Sequence, residues 1–288
     1  MDIEEANRDG QVVQGFGEEW SRFPQDQLTD KERGGIFEDY FAIFPWEELP
    51  ADAKGADIGC GSGRWATIVA PKVDRLVCVD ASADALEVAR RNLACHHNVE
   101  FQNADVGRLP FGEGELDFAY SLGVLHHVPD TESAIANIGK CLKPGGLFLV
   151  YLYYAFDNRP FWFRFLWRIS DLLRHVFCRT PSRLRFWLCD AMAVLIYWPL
   201  ARGAAILERL GIASEHFPLR YYRDKSFYVM RTDALDRFGT CLEKRYSRRQ
   251  IKMMLESAGF RDVKFSEAAP LWCAIGIRKK KAEPTCAE

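Results

Sequence analysis

The feature that most constrains this chain is an alternation of short apolar runs and helical segments that begins near residue 55. The runs are Gly55–Gly59, Arg75–Asp80, Val99–Asp105, Leu116–Val124 and Leu147–Tyr153. Between them, Arg64–Ala70, Ser82–Cys95 and Asp130–Cys141 have helical spacing. Strands separated by helices of this length bury both faces as right-handed βαβ crossovers on a parallel sheet. The element ends agree. Ser82 and Asp130 are N-cap residues, and Pro144-Gly145-Gly146 is expected to stop the chain before the fifth strand. Later, Ser247-Arg248-Arg249-Gln250 is a capping-box pattern opening a helix that ends at Gly259, followed by strands at Val263–Ser266 and Leu271–Ile277. The expected fold class is α/β, a doubly wound and mostly parallel sheet.

Three parts follow from this pattern. Residues 1–50 read as a helical lead-in or lid, 51–153 with 247–280 as the core, and 154–246 as a mainly helical insertion after the fifth strand. The whole chain has 38 Lys and Arg against 40 Asp and Glu, so bulk charge makes no case for nucleic acid. The insertion departs from that average. Residues 151–223 carry eleven Arg, no Lys and five acids, a net +6, and 17 of the 38 aromatic residues. Within it Arg164, Arg168, Asp171 and His175 fall on one helical stripe of Phe161–Phe177, and a second helix is expected over Leu184–Tyr197, interrupted near Pro199. Two readings stay open. The insertion is a lid packed on the sheet's edge, or an amphipathic element that lies on a membrane or admits a long apolar substrate. Its apolar density exceeds what a single-strand nucleic-acid groove needs.

Nine cysteines show no Cys-x-x-Cys pair and no zinc spacing, and read as reduced, buried thiols of a cytosolic protein. The first ten residues are polar and acidic, unlike a signal peptide. The longest uncharged apolar run, Ala191–Ala201, is short of the ~20 residues that span a bilayer. The expectation is a cytoplasmic protein, soluble or peripheral at a membrane.

Chemistry concentrates where the first strand turns into a helix, in Asp57-Ile58-Gly59-Cys60-Gly61-Ser62-Gly63-Arg64. Glycines there allow close backbone approach, and an open helix start can receive negative groups. Arg64 occupies the third glycine position of a dinucleotide fingerprint, so the pattern is acid-x-Gly-x-Gly-x-Gly. Asp80 ends the second strand, where a carboxylate can accept both hydrogens of a ribose diol. Asp105 ends the third, and Ser121-Leu122-Gly123-Val124-Leu125-His126-His127 ends the fourth.

With these motifs in this order, the chain resembles the class I S-adenosylmethionine-dependent methyltransferases, especially the ubiquinone and menaquinone biosynthesis group. The resemblance covers about residues 53–152 and 247–278. It implies a seven-stranded sheet with the cofactor across the strands' carboxyl ends. Carried over by position, Gly59, Cys60, Gly61 and Gly63 line the methionine part, and Asp80 with Ala81 holds the ribose. Asp105 and Val106 flank the adenine, and Ser121 with Leu122 borders the sulfonium. Asp57 orients the glycine loop or meets the cofactor's amino group, and Trp20 folds over the cofactor. No metal is expected.

For acid–base work the candidates are His126, Tyr228 and Asp233. On an extended segment only one of His126 and His127 faces a cleft, and His126 is the first choice. Substrate contacts are expected from His126, Tyr222 and Arg231. The fourth strand lacks the Asn/Asp-Pro-Pro-aromatic and Pro-Cys patterns of enzymes that methylate nucleic-acid bases. The expected activity is methyl transfer to a small-molecule or lipid-linked, largely apolar acceptor. Protein or RNA methylation, and a non-catalytic cofactor-binding role in a membrane-associated complex, stay open beside it.

Overall fold

A computed structural model describes residues 7–212 and 217–280. Seven strands form one sheet: β1 (Lys54–Ile58), β2 (Arg75–Asp80), β3 (Val99–Asn103), β4 (Leu116–Leu122), β5 (Leu142–Tyr151), β6 (Phe260–Phe265) and β7 (Cys273–Arg278). Their order is β3-β2-β1-β4-β5-β7-β6. Strands β1 to β5 are parallel, and β7 runs antiparallel between β5 and β6. The order reverses between β1 and β4, which opens a crevice outside the carboxyl ends of these strands.

Both faces of the sheet are buried, as parallel strands require. On one face Phe118, Tyr120 and Leu149 pack with Phe37 and Phe41 of α2 (Asp30–Phe41). Gly55 makes room there, since a Cβ on it would stand 2.0 Å from the Phe118 ring. On the other face Ala119, Phe148 and Val150 pack with Ile135 and Ile138 of α5 (Thr131–Cys141). Ile251 and Leu255 of α10 (Arg248–Ser257) complete that layer. The helix between β2 and β3 is α4 (Ala83–Asn92), capped by Ser82, and Asp130 caps α5. Ser247 and Gln250 form the reciprocal capping box of α10. The lead-in supplies α1 (Gly10–Arg22), which packs on α4.

Several local expectations need correction. Pro144-Gly145-Gly146 lies inside β5 as an irregularity: Leu142 pairs with Leu116, and regular pairing resumes at Leu147 opposite Phe118. The helix after β1 is short, α3 (Ala66–Val69), and continues as a 3₁₀ turn to Lys72. The insertion holds α6 (Phe161–Phe177), α7 (Ser182–Met192) and α8 (Trp198–Arg209). A π turn at Ala193–Tyr197 joins α7 to α8, so Ser182–Arg209 is one continuous 28-residue helix that Pro199 does not interrupt. The wider turn just before Pro199 absorbs its missing N–H. By length and composition this helix is long and apolar enough to cross a membrane, which the eleven-residue uncharged run did not suggest. The segment around Tyr228 and Asp233 is α9 (Phe227–Gly239), capped by Ser226.

A disulfide joins Cys178, at the end of α6, to Cys241 beyond α9. This corrects the reading of all cysteines as reduced thiols. Cys60, Cys78, Cys141, Cys189 and Cys273 are free and buried, and Cys95 is free and exposed. Cys286 lies outside the described residues.

Candidate active site

A cavity of about 660 Å³ opens outside the carboxyl ends of β1, β2 and β4. Gly59, Cys60 and Arg64 of the β1–α3 turn form part of its floor, while Gly61 and Gly63, expected to line it, lie behind them and do not. Gly59, Gly61 and Gly63 have φ of +78°, +54° and +73°, a region that side-chain-bearing residues rarely adopt. The Gly59 and Cys60 amides both donate to the Val79 carbonyl, and the Gly63 amide donates to that of Cys60. The Gly61 amide donates to Asp80 Oδ2 at 2.9 Å, while Asp80 Oδ1 accepts from the Ser82 amide at 2.8 Å. The amides of Gly59, Cys60, Gly61 and Gly63 are thus used within the protein, and α3 is one turn long. Each Asp80 oxygen keeps a second lone pair, and the side chain lines the cavity. Burial raises its pKa, and the Ser82 and Gly61 amides oppose that rise.

Trp20 covers this loop from α1; a Cβ on Gly61 would stand 2.7 Å from its indole. The Arg64 guanidinium lies 5.6 Å from the same ring. Cys60, Ala81, Asp105, Val106 and Leu122 also line the cavity. Asp105 is at the same time a turn former, its Oδ1 accepting from the Gly107 amide at 2.8 Å. Ser121 and Asp57 differ from expectation. Ser121 is fully buried, donates to the Ile58 carbonyl at 2.8 Å and does not line the cavity. Asp57 is buried behind the turn, where desolvation pushes its pKa up to about 8. Asp57 does not line the cavity.

The two histidines exchange places relative to expectation. Residues 125–127 form a 3₁₀ turn, so the alternation of an extended segment does not apply. His126 is fully buried, stacked on Tyr153 at 3.8 Å, with both ring nitrogens unpartnered among the described residues. Burial pushes its pKa well below the ordinary histidine value. His127 is the one that lines the cavity. Its Nδ1 is 2.6 Å from the Leu242 carbonyl, which can only accept, so Nδ1 carries a proton and Nε2 faces Asp236 Oδ1 at 3.7 Å. The Tyr153 hydroxyl donates to the other Asp236 oxygen. Burial alone would raise Asp236, but His127 and Tyr153 hold its carboxyl below the usual range.

Helix α9 supplies the rest of this wall, with Asp233, Asp236 and Arg237 on one face. Asp233 is pushed up to about 6 by burial, with Arg64 and the Tyr222 hydroxyl opposing. Tyr222 lines the cavity beside it. Glu19 reaches in from α1, 3% exposed and with Oε1 unpartnered among the described residues. Burial, then Asp236 and Asp233, raise its pKa. Tyr228 and Arg231 lie on the opposite side of α9 and do not line the cavity. The Tyr228 hydroxyl accepts from the Gln25 amide at 2.9 Å, and Arg231 grips Asp190 of α7 with two bonds of 2.9 Å. Both fasten α9 to its neighbours.

Residues 56–150 match the model of a methyltransferase domain family. A demethylmenaquinone methyltransferase of Staphylococcus saprophyticus is 30% identical over 102 residues, which is 34% of this chain and 44% of that protein. An uncharacterized methyltransferase of Bacillus subtilis, YcgJ, is 31% identical over 186 residues, 64% of this chain and 68% of the relative. The chain belongs to the class I S-adenosylmethionine-dependent methyltransferases. The chain spans less than half the length of the first of these relatives. Among solved structures, the [4+2]-cyclase SpnF superposes with a TM-score of 0.50 at 14% identity, over 90% of this chain and 77% of that one. That likeness concerns the fold alone, since one fold hosts different reactions.

The residues lining the cavity suit the family's cofactor in their chemistry. A Cβ at Gly59 would strike Val124, so that wall stays closely packed, while the Asp80 carboxylate and the Asp105–Val106 edge remain accessible. His127, Asp236, Tyr153, Glu19, Arg64 and Arg237 are cavity residues that sequence reasoning did not select. The usable signal was in 226–239: Ser226 as a cap, then Met230, Ala234, Leu235 and Phe238 at helical spacing opposite Asp233, Asp236 and Arg237.

Proposed function

We propose that this chain transfers a methyl group from S-adenosylmethionine to a small, largely apolar acceptor that enters along the insertion. One observation carries the reading. The cavity is continuous from the glycine turn, Asp80 and Asp105 to an apolar end formed by Leu166, Ile169 and Leu173 of α6 with Met192, Ile196 and Leu200 of the long helix. An acceptor with an apolar body and one nucleophilic end fits that division.

The cofactor supplies a methyl group already activated on a sulfonium, so positioning and exclusion of water are the main tasks left to the protein. Asp80 is suited to accept the ribose hydroxyls through its spare lone pairs, and Val106 with Asp105 to flank the adenine. Arg64 is the cation placed for the methionine carboxylate. Trp20 closes over the loop and keeps the site dry. His127 and the ionised Asp236, 3.7 Å apart on the cavity wall, are the pair suited to receive the proton of an acceptor O–H or N–H, the carboxylate stabilising the imidazolium. Tyr153 holds Asp236 in place.

The test pairs calorimetry with a transfer assay using methyl-labelled S-adenosylmethionine and an apolar extract of the source cells. Cofactor binding in the micromolar range and a labelled, organic-soluble product are expected. Absence of cofactor binding, or tighter binding of NAD, overturns the proposal. Binding with no labelled product from any acceptor class favours a non-catalytic role, and label in protein or RNA favours those acceptors.

A further inference from the structure

Large apolar side chains stand in solvent along the insertion. On α6, Phe161, Phe165, Ile169, Leu172 and Val176 recur at spacings of three and four as one stripe, between 48% and 79% exposed. On the long helix, Leu184, Trp187, Leu195, Trp198 and Ile206 form another, between 47% and 69% exposed. An exposed apolar area on this scale marks an interaction face. It is continuous with the cavity, because Leu166, Ile169, Leu173 and Ile196 are both exposed and part of its lining.

Charge accompanies these stripes. Arg164, Arg168, Arg179, Arg183 and Arg209 are exposed and form no ion pair among the described residues. The acids of the same helices are already engaged: Asp171 with Arg174, Asp190 with Arg22 and Arg231, Glu208 with Arg220 and Arg223. The face is therefore apolar and purely cationic in its free charges.

We propose that this face docks on an anionic lipid bilayer, the arginines at the head groups and the apolar stripes in the outer acyl region, so that the cavity mouth opens toward lipid. The mouth's role rests on the apolar-acceptor reading; the docking does not. A second copy of this chain fits less well, because two-fold pairing would set the unpaired arginines against a face of the same sign. Anionic head groups complement them, and Trp162, Trp187 and Trp198 are half-exposed amphipathic rings suited to the interface. The long helix lies on the bilayer and does not cross it. Its inner stripe of Cys189, Ala193, Tyr197, Ala201 and Ala204 is buried in the protein.

The test is co-sedimentation of the full chain with vesicles of phosphatidylcholine alone or mixed with phosphatidylglycerol, at physiological salt, where screening is moderate. Binding to the anionic vesicles is expected. Each basic residue near such a surface contributes about fivefold, so Arg164→Glu with Arg168→Glu should weaken binding by thirtyfold or more. Phe165→Ser with Leu172→Ser should also weaken it. None of these residues lines the cavity, so unchanged calorimetric affinity for S-adenosylmethionine shows that the variants fold. If the cofactor does not bind at all, the methyltransfer reading fails while sedimentation still decides docking. Wild type left in the supernatant with both vesicles, or undiminished binding of the charge-reversed variant, overturns the proposal. So does a dimer in sedimentation velocity that Leu172→Ser dissociates, without vesicle binding.

Discussion

His127 Nε2 stands 3.7 Å from Asp236 Oδ1, bringing the turn after β4 and helix α9 together at the cavity wall. With Nδ1 fixed on the Leu242 carbonyl, the ring has one nitrogen free to gain a proton, and that nitrogen faces a carboxylate. His126, its neighbour in sequence, has neither a charged partner nor access to the cavity.

This contrast gives the first prediction. Removing a general base costs about 10²–10⁴ in rate. His127→Asn should lower kcat by that order with an acceptor that loses a proton, leaving cofactor affinity within about twofold. His126→Leu should leave kcat nearly unchanged and hold stability, because it replaces two unpartnered buried nitrogens with an apolar side chain of similar volume. Equal losses from both changes would refute the assignment.

Asp80 both fastens the Gly61 amide and offers lone pairs to a ligand. Asp80→Ala should weaken S-adenosylmethionine binding by about 1.5–3 kcal/mol, the range for hydrogen bonds to charged groups. Titration calorimetry gives the number directly. An affinity unchanged from wild type would remove Asp80 from the cofactor site.

The sheet was legible because strands buried on both faces are near-continuous apolar runs such as Arg75–Asp80 and Leu116–Leu122, and caps such as Ser82, Asp130 and Ser247 act locally. The glycine turn was legible for a similar reason, since three left-handed positions in five residues leave little choice but glycine. Orientation was not. Which histidine faces the cavity depends on a 3₁₀ turn that period-two reasoning cannot see. Tyr228 and Arg231 are turned away by Gln25 and Asp190, partners far off in sequence. The Cys178–Cys241 pairing likewise depends on how α6 and α9 pack.

That pairing is itself open to test. The disulfide spans a sequence separation of 63 residues and encloses α7, α8 and α9, so the chain-entropy model assigns it about 4 kcal/mol. Reduction, or Cys178→Ser with Cys241→Ser, should lower Tm by several degrees and loosen the insertion more than the sheet. Thermal melts with and without dithiothreitol, read together with local hydrogen exchange, check both points. A melt indifferent to reductant would show that the bond does not contribute.

The carboxyl of Asp233 makes a pH-dependent prediction whose sign can be worked out. Burial pushes its pKa from 3.8 up to about 6, so the folded chain holds this proton more tightly than the unfolded chain does. Below pH 4 both states are protonated and the group is neutral in its effect. As pH rises from about 4 to about 6 the unfolded state ionises first, and folding loses stability across that window. The shift corresponds to a loss of about 3 kcal/mol that is complete above pH 6. Asp233→Asn keeps the shape and an acceptor for Tyr222 but does not titrate. Chemical denaturation should therefore find the variant close to wild type at pH 4 and more stable by up to about 3 kcal/mol at pH 7. A stability difference that stays constant from pH 4 to pH 8 would mean that Asp233 does not carry its proton into the neutral range.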